Sequence, residues 1–281
     1  MPNRREFLKS IPLAGAGLLI AATAKSQTKL KMNQAGLQLW TLRDDIAKDM
    51  QQTIKAVAAM GYTNIEPYGF DGRFYGMEAK AFRRFCADLG ITVTSTHTGI
   101  TAENADFYAE KAVEGGLSYL VLPSFMGRPS ASIDDFKRAA DEMNTIGEKC
   151  LKQGIRFGYH NHDFEFRELE GQIPYDLMLE QTDARLVFFQ MDIGWMQVAK
   201  RDVPSYFNRY PGRFVTWHIK DVNPQGEGCI VGNGVIDYPA LLPYASITGM
   251  EQFYVEQEKY HEGSPQYCAG QSLQYIRQHF F

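Results

Sequence analysis

Six histidines serve this chain of 281 residues, and two of them stand two apart in Tyr159-His160-Asn161-His162-Asp163-Phe164-Glu165-Phe166. Asp192 follows the apolar run 186–191, His218 and Lys220 share Trp217-His218-Ile219-Lys220-Asp221, and Glu256 and Glu258 close Tyr254-Val255-Glu256-Gln257-Glu258. Each cluster sits in or just after a β-rich run, where side chains alternate and residues two apart share a face. His160 and His162 then face one way and Asn161 the other, Gln190 goes with Asp192, and His218 goes with Lys220. Ionisable groups buried without partners are costly. A divalent cation shared by imidazoles and carboxylates removes that cost, and this donor mixture suits Mn, Fe, Co or Zn.

Eight short apolar runs must hold these residues: 36–42, 62–68, 91–98, 118–125, 155–162, 186–195, 213–221 and 251–258. Helix-like stretches separate them. One places Ile46, Met50, Ile54, Val57 and Ala58 on a single face and stops at Gly61; another aligns Phe82, Phe85 and Leu89 before Gly90. Ser132, with Asp135 three residues on, opens a long helix as an N-cap, and 101–116 makes a weaker one. Strict alternation means parallel strands joined by crossover helices. Eight such units fit a single closed (β/α)8 TIM barrel, an α/β fold, better than an open doubly wound sheet. No Gly-x-Gly-x-x-Gly follows the first strand, which counts against a dinucleotide fold.

Chemistry in such a barrel gathers at the C-terminal ends of the strands. Those ends carry Gln38 and Trp40, Glu66, His97, His160 and His162, Asp192 with Trp195 just beyond, His218 and Lys220, and Glu256 and Glu258. The expected cation ligands are His160, Asp192, His218 and Glu256, one from each of strands five to eight. Trp40 and Trp195 are expected as cavity walls with apolar faces suited to a sugar ring. Asp163 should face away from His162, and Glu165 either caps the following loop or meets the substrate.

The first residues, with Arg4-Arg5 ahead of Phe7-Leu8, an uncharged run 11–24 and Ala22-Thr23-Ala24, resemble a twin-arginine export signal. The run falls short of the ~20 residues of a spanning helix. The expected organisation is an export signal over 1–24 and a barrel over 25–281, with the mature protein in the periplasm. The net charge is −4 for the whole chain, and removing Arg4, Arg5, Lys9 and Glu6 makes it −6. An acidic chain repels polyanions, so nucleic acid is not an expected partner. Four scattered cysteines without Cys-x-x-Cys suggest neither a disulfide scaffold nor a zinc knuckle, though one bridge in an oxidising compartment is compatible. The composition leaves a homo-oligomer open.

On the motifs YHNHDFEF (159–166), MDIGW (191–195), WHIKD (217–221), GNGVIDY (232–238) and YVEQE (254–258), nearly the whole mature chain resembles the sugar phosphate isomerase/epimerase superfamily, the xylose isomerase-like TIM barrels. The resemblance implies a metal held by Glu, Asp, His and Glu at the ends of strands five to eight. Asp192, His218 and Glu256 match that pattern, but His160 stands where ketose epimerases carry Glu, which puts their two-glutamate proton shuttle in doubt. Trp195 stands where epimerases often have a His. The stretches YHNH and HIKD look closer to the inosose dehydratase-like and 3-keto-sugar branches.

The implied chemistry is proton removal beside a carbonyl, with a divalent metal (Mn, Co, Zn or Mg) stabilising the enediolate. Glu256 and His162 are the implied bases, Lys220 and His97 polarise or hydrogen-bond oxygens, and Glu66 holds a hydroxyl. Gln38, Trp40, Glu165 and Trp195 complete the substrate contacts. The outcome is epimerisation, isomerisation or, with loss of a β-substituent, a lyase reaction. Export points to an unphosphorylated sugar, cyclitol or 3-keto-glycoside, with GNGVIDY the one loop weakly suggestive of phosphate binding. The rival readings are a catalytically inactive periplasmic sugar-binding barrel and a metal-dependent phosphodiesterase of the endonuclease branch, the latter opposed by the charge.

Overall fold

The structure, a computed structural model, describes residues 34–125 and 132–281; the export segment expected at 1–24 lies outside them. Eight strand positions follow in order: β1 Gly36–Gln38, β2 Asn64–Glu66, β3 in two pieces at Thr92–Val93 and Ser95–His97, β4 Tyr119–Leu122, β5 Arg156–His160, β6 Val187–Asp192, β7 Thr216–Ile219 and β8 Gln252–Val255. Every neighbouring pair in this sheet is parallel. The sheet begins with the first piece of β3 beside β2 and ends with the second piece beside β4. Its two edges are therefore halves of one strand, and the sheet closes as the (β/α)8 barrel that the alternation implied.

The crossover helices are α1 Met50–Met60, α2 Ala79–Asp88, α3 Ala105–Gly115, α4 Ile133–Lys152, α5 Pro174–Gln181 and α6 Val203–Arg209, and α7 Pro265–His279 follows β8. Their ends are written in the sequence. Asp49 accepts the Gln52 N–H at the start of α1, and Ser132 and Asp135 form a reciprocal capping box on α4. The buried face of α2 centres on Phe82 and Cys86, with Phe85 and Leu89 half-buried at its border. All four cysteines are free and buried, so no bridge joins them. No helix among the described residues is long and apolar enough to cross a membrane.

Inside the barrel, glycine makes room where two strands crowd. A Cβ on Gly158 would sit within the Phe188 ring, which packs with Tyr119, Val121 and Val215 below the site. Two strands are shorter than their apolar runs because their last side chains turn the chain. Gln38 Oε1 accepts the Trp40 N–H at 3.0 Å and starts a 3-10 turn over Leu39–Leu42. Asp192 Oδ1 accepts the Trp195 N–H at 2.8 Å and caps the short helix Ile193–Val198.

Gly90, after α2, has φ +75° and nothing within 4 Å of the position a Cβ would take. Gly90→Ala should therefore cost only the left-handed backbone penalty, about 1–2 kcal/mol, and leave turnover per folded molecule unchanged. Urea unfolding beside an activity assay checks this; an unchanged unfolding midpoint would contradict it.

Candidate functional site

The register of β5 to β8 brings four side chains to one wall of the barrel mouth. His218 is level with Asp192 on β6 and with Tyr254 on β8, so Glu256, two residues on, turns the same way. His160, Asp192, His218 and Glu256 are all buried, and each offers one donor atom within 4.8 Å of the others. His218 Nδ1 is 2.9 Å from Glu256 Oε2 and 3.8 Å from Asp192 Oδ2. His160 Nε2 is 3.4 Å from Asp192 Oδ2 and 4.0 Å from Glu256 Oε2. Lys220 Nζ lies 2.9 Å from Asp192 Oδ2, 3.0 Å from Glu256 Oε2 and 2.6 Å from Glu258 Oε1, over the Trp195 ring at 4.6 Å.

Each donor is aimed by a second contact. His160 Nδ1 is 3.1 Å from the Pro123 carbonyl, which can only accept, so Nδ1 carries the proton and Nε2 faces the cluster with its lone pair. Asp192 spends Oδ1 on the Trp195 N–H and keeps Oδ2 for the cluster. Asn161, on the opposite side from His160, donates to the Asp192 carbonyl and accepts the Asp192 N–H, fixing the end of β6 to the end of β5.

Beneath the cluster lies Glu66, fully buried. It accepts from Gln38 Nε2 at 2.8 Å, Ser95 Oγ at 2.5 Å, Gln190 Nε2 at 2.9 Å and His218 Nε2 at 2.7 Å. Burial works to raise its carboxyl, but His97 and His218 overcome that and hold it at about 2. Burial likewise opposes ionisation of Asp192 and Glu256, and the Lys220 ammonium wins, keeping both below the usual carboxylate range. His218 is pushed the other way: burial disfavours its charge, yet the Glu256, Asp192 and Glu66 carboxylates raise it well above an ordinary imidazole. Burial, then His160 and Lys220, pushes His162 down to about 3, and burial takes His97 down to about 4 against the pull of Glu66.

Above the cluster a cavity of ≈ 470 Å³ opens, lined by Trp40, Tyr68, His97, His160, His162 and Glu256 among others. Trp40 is 41 % exposed at the rim, edge-on to Tyr68 at 4.9 Å. Gln38 and Glu66 do not line this cavity; both are fully buried, and Glu66 meets the cluster through His218. Glu165 is buried behind His162, accepting the Tyr159 O–H at 2.5 Å and the His162 N–H at 2.9 Å, and burial raises its carboxyl to about 7 against those hydrogen bonds. Asp163 pairs with Arg167 at 2.7 Å. Trp195 packs 5.7 Å from the His162 ring. Glu258 also lines the cavity, a residue that strand parity with Glu256 brings to the mouth although the expected site leaves it out. Ser95, Asn161 and the Pro123 carbonyl carry no signal in the sequence that separates them from ordinary loop and strand residues.

The model described as xylose isomerase-like TIM barrel matches residues 54–279. The chain belongs to this family. A relative, the inosose dehydratase of Geobacillus thermodenitrificans (strain NG80-2), is 21% identical over 90% of this chain and 98% of its own length. Among solved structures, a sugar phosphate isomerase/epimerase from Parabacteroides distasonis ATCC 8503 superposes with TM-score 0.77 at 28% identity, covering 87% of this chain and 94% of that one. D-Psicose 3-epimerase from Clostridium cellulolyticum H10 shares the fold at TM-score 0.66 and 13% identity, over 88% of this chain and 99% of that one.

Proposed function

We propose that this chain is a divalent-cation-dependent isomerase, epimerase or lyase that removes a proton beside a carbonyl of an unphosphorylated sugar, cyclitol or 3-keto-glycoside. The observation that carries it is the convergence of His160, Asp192, His218 and Glu256 under the cavity, with Lys220 and His162 alongside. Two imidazoles and two carboxylates fit Mn, Co or Zn; Mg, which prefers oxygen, fits less well. A cation held there supplies Lewis-acid polarisation of a carbonyl oxygen.

The chain's own groups do the rest. Either Glu256 or neutral His162 accepts the proton from carbon, and the Lys220 ammonium donates a hydrogen bond to an oxygen gaining charge. With His160 where a second carboxylate base would stand in the ketose epimerases, a matched pair of bases on opposite ring faces is missing. A base with an ammonium nearby to hydrogen-bond the oxygen of a departing group, which leaves with a proton from solvent, suits loss of a β-substituent instead, and the likeness to an inosose dehydratase supports that choice.

An unphosphorylated substrate is supported by the GNGVIDY loop. Its N–H groups, at Gly232, Gly234 and Ile236, donate to the Asp221 carboxylate at 2.9, 3.1 and 3.3 Å, so a side chain of the protein takes the place a phosphate would need. The export expected from Arg4-Arg5 would agree with it, since sugar phosphates are cytoplasmic.

The test is a panel of keto-sugars, inososes and 3-keto-glycosides incubated in deuterated water with and without Mn, followed by NMR. Cation-dependent deuterium beside the carbonyl, or release of the β-group, is expected; neither with any substrate under Mn, Co or Zn would overturn the reading and leave a sugar-binding barrel. At the rim, Trp40→Ala should raise KM about tenfold, the loss of ~1.4 kcal/mol of ring stacking, while kcat and cation content stay level. Steady-state kinetics beside elemental analysis reads this, and a fall in kcat with KM unchanged would move Trp40 out of the binding role.

A further inference from the structure

The protons on the floor of the site follow from one residue. Glu66 has no exposed surface, and donors surround both of its oxygens: Ser95 Oγ at 2.5 Å on Oε1, Gln38 Nε2 at 2.8 Å on Oε2 and Gln190 Nε2 across the two, so the carboxylate acts as an acceptor throughout. His218 Nε2, 2.7 Å away, must therefore be an N–H nitrogen, and the proton that a cation would displace is the one on Nδ1, 2.9 Å from Glu256 Oε2 and 3.8 Å from Asp192 Oδ2. Gln190 must point its NH2 at Glu66, at 2.9 and 3.2 Å, which turns Gln190 Oε1 toward His97. That oxygen is 2.6 Å from His97 Nε2 and is again only an acceptor, and Glu66 Oε2 lies 3.4 Å from the same nitrogen. His97 Nε2 therefore carries a proton as well. His97 lines the cavity, and its Nδ1 has no hydrogen-bond partner among the described residues.

We propose that Glu66 is a positioning residue that sets two histidine tautomers at once: it presents His218 to the cation through Nδ1, and through Gln190 it presents His97 to the substrate as a neutral Nδ1 acceptor for a sugar or cyclitol hydroxyl. The His218 half rests on the cation reading above; the His97 half does not. The arrangement explains why a carboxylate at a strand end within the site does not line the cavity above it. Its role is exercised through the two rings that flank it, as partners of metal-binding histidines commonly do.

The experiment is two-bond 1H–15N NMR on the full chain labelled with 15N-histidine at pH 7, first without cation and then with Zn. In the wild type His97 should be neutral and protonated on Nε2 in both samples, and His218 should be protonated on Nε2 with Zn present. Glu66→Gln, whose amide can donate, should mix the His97 tautomers and weaken Zn binding by ~10–100-fold in calorimetric titration. Gln190→Met removes the relay alone, so it should lose the His97 tautomer and hold Zn within about twofold of wild type. It decides the His97 half even where Glu66→Gln does not fold. A wild-type His97 protonated on Nδ1, or Glu66→Gln with both tautomers and Zn affinity intact, would overturn the proposal. A wild type that takes no Zn, Mn or Co fails the cation reading and removes the His218 half, while the His97 tautomer is still read in the cation-free sample.

Discussion

Asp192→Ala should bring cation content to near background and abolish turnover with it. Asp192 Oδ2 is the point where the donors meet: it lies 3.4 Å from His160 Nε2, 3.8 Å from His218 Nδ1 and 2.9 Å from Lys220 Nζ. Without that carboxylate, one of the two anionic donors is gone and the Lys220 ammonium is left with Glu256 and Glu258. The substitution also removes the cap of the helix Ile193–Val198, a loss of about 1 kcal/mol that thermal melting will show. Asp192→Asn separates the two effects, because its amide oxygen still accepts the Trp195 N–H while the charge is gone. It should melt close to wild type and still bind poorly. Elemental analysis after loading with Mn and desalting decides the matter; equal content in wild type and Asp192→Ala would refute the assignment. In the proteins that do bind, affinity should strengthen as pH rises. The carboxylates around His218 hold its pKa well above 6.5, so a proton and the cation compete for Nδ1 and lowering the pH favours the proton.

Much of this site follows from two periodicities. The alternation of β-rich runs with helix patterns gives eight strands in a parallel barrel, and the period of two along β5 to β8 puts His160, Asp192, His218 and Glu256 on the inner face. Where a strand stops is harder to read. Gln38 and Asp192 end β1 and β6 with their own side chains, and Trp40 and Trp195 leave the strand register there. The floor is harder still. Glu66 reads from position as a group for a substrate hydroxyl, yet barrel curvature packs against it Gln38, Ser95, Gln190 and His218, which are 28, 29, 124 and 152 residues away in the chain. No local pattern encodes such contacts. Glu165 has the same history in miniature: a loop carboxylate that folds back to hold the Tyr159 hydroxyl and the His162 N–H.

The two histidines of YHNH should divide the work, and their separate replacement is the sharpest measure of the register. Two strand residues span ~6–7 Å, more than two ligands of one ion on a straight strand allow. β5 ends at His160, whose Nε2 lies within the donor cluster and whose Nδ1 is committed to the Pro123 carbonyl. His162 comes after the strand. Its ring stands edge-on to His160 at 4.9 Å between centroids and packs against Phe164 and Trp195, and its buried Nδ1 has no partner among the described residues. Lowered to about 3, His162 is neutral at pH 7 and able to take a proton from a substrate in the cavity it lines. His160→Ala should therefore lose cation and activity together. His162→Ala should keep the cation and lose turnover by ~10²–10⁴-fold, and the fall in rate that protonation of this imidazole causes in the wild type as pH drops toward about 3 should be absent. Cation content and kcat measured on both variants settle it. If His162→Ala loses the cation while His160→Ala keeps it, the ligand is His162, and the strand end must bend to bring it within reach of Asp192 and Glu256.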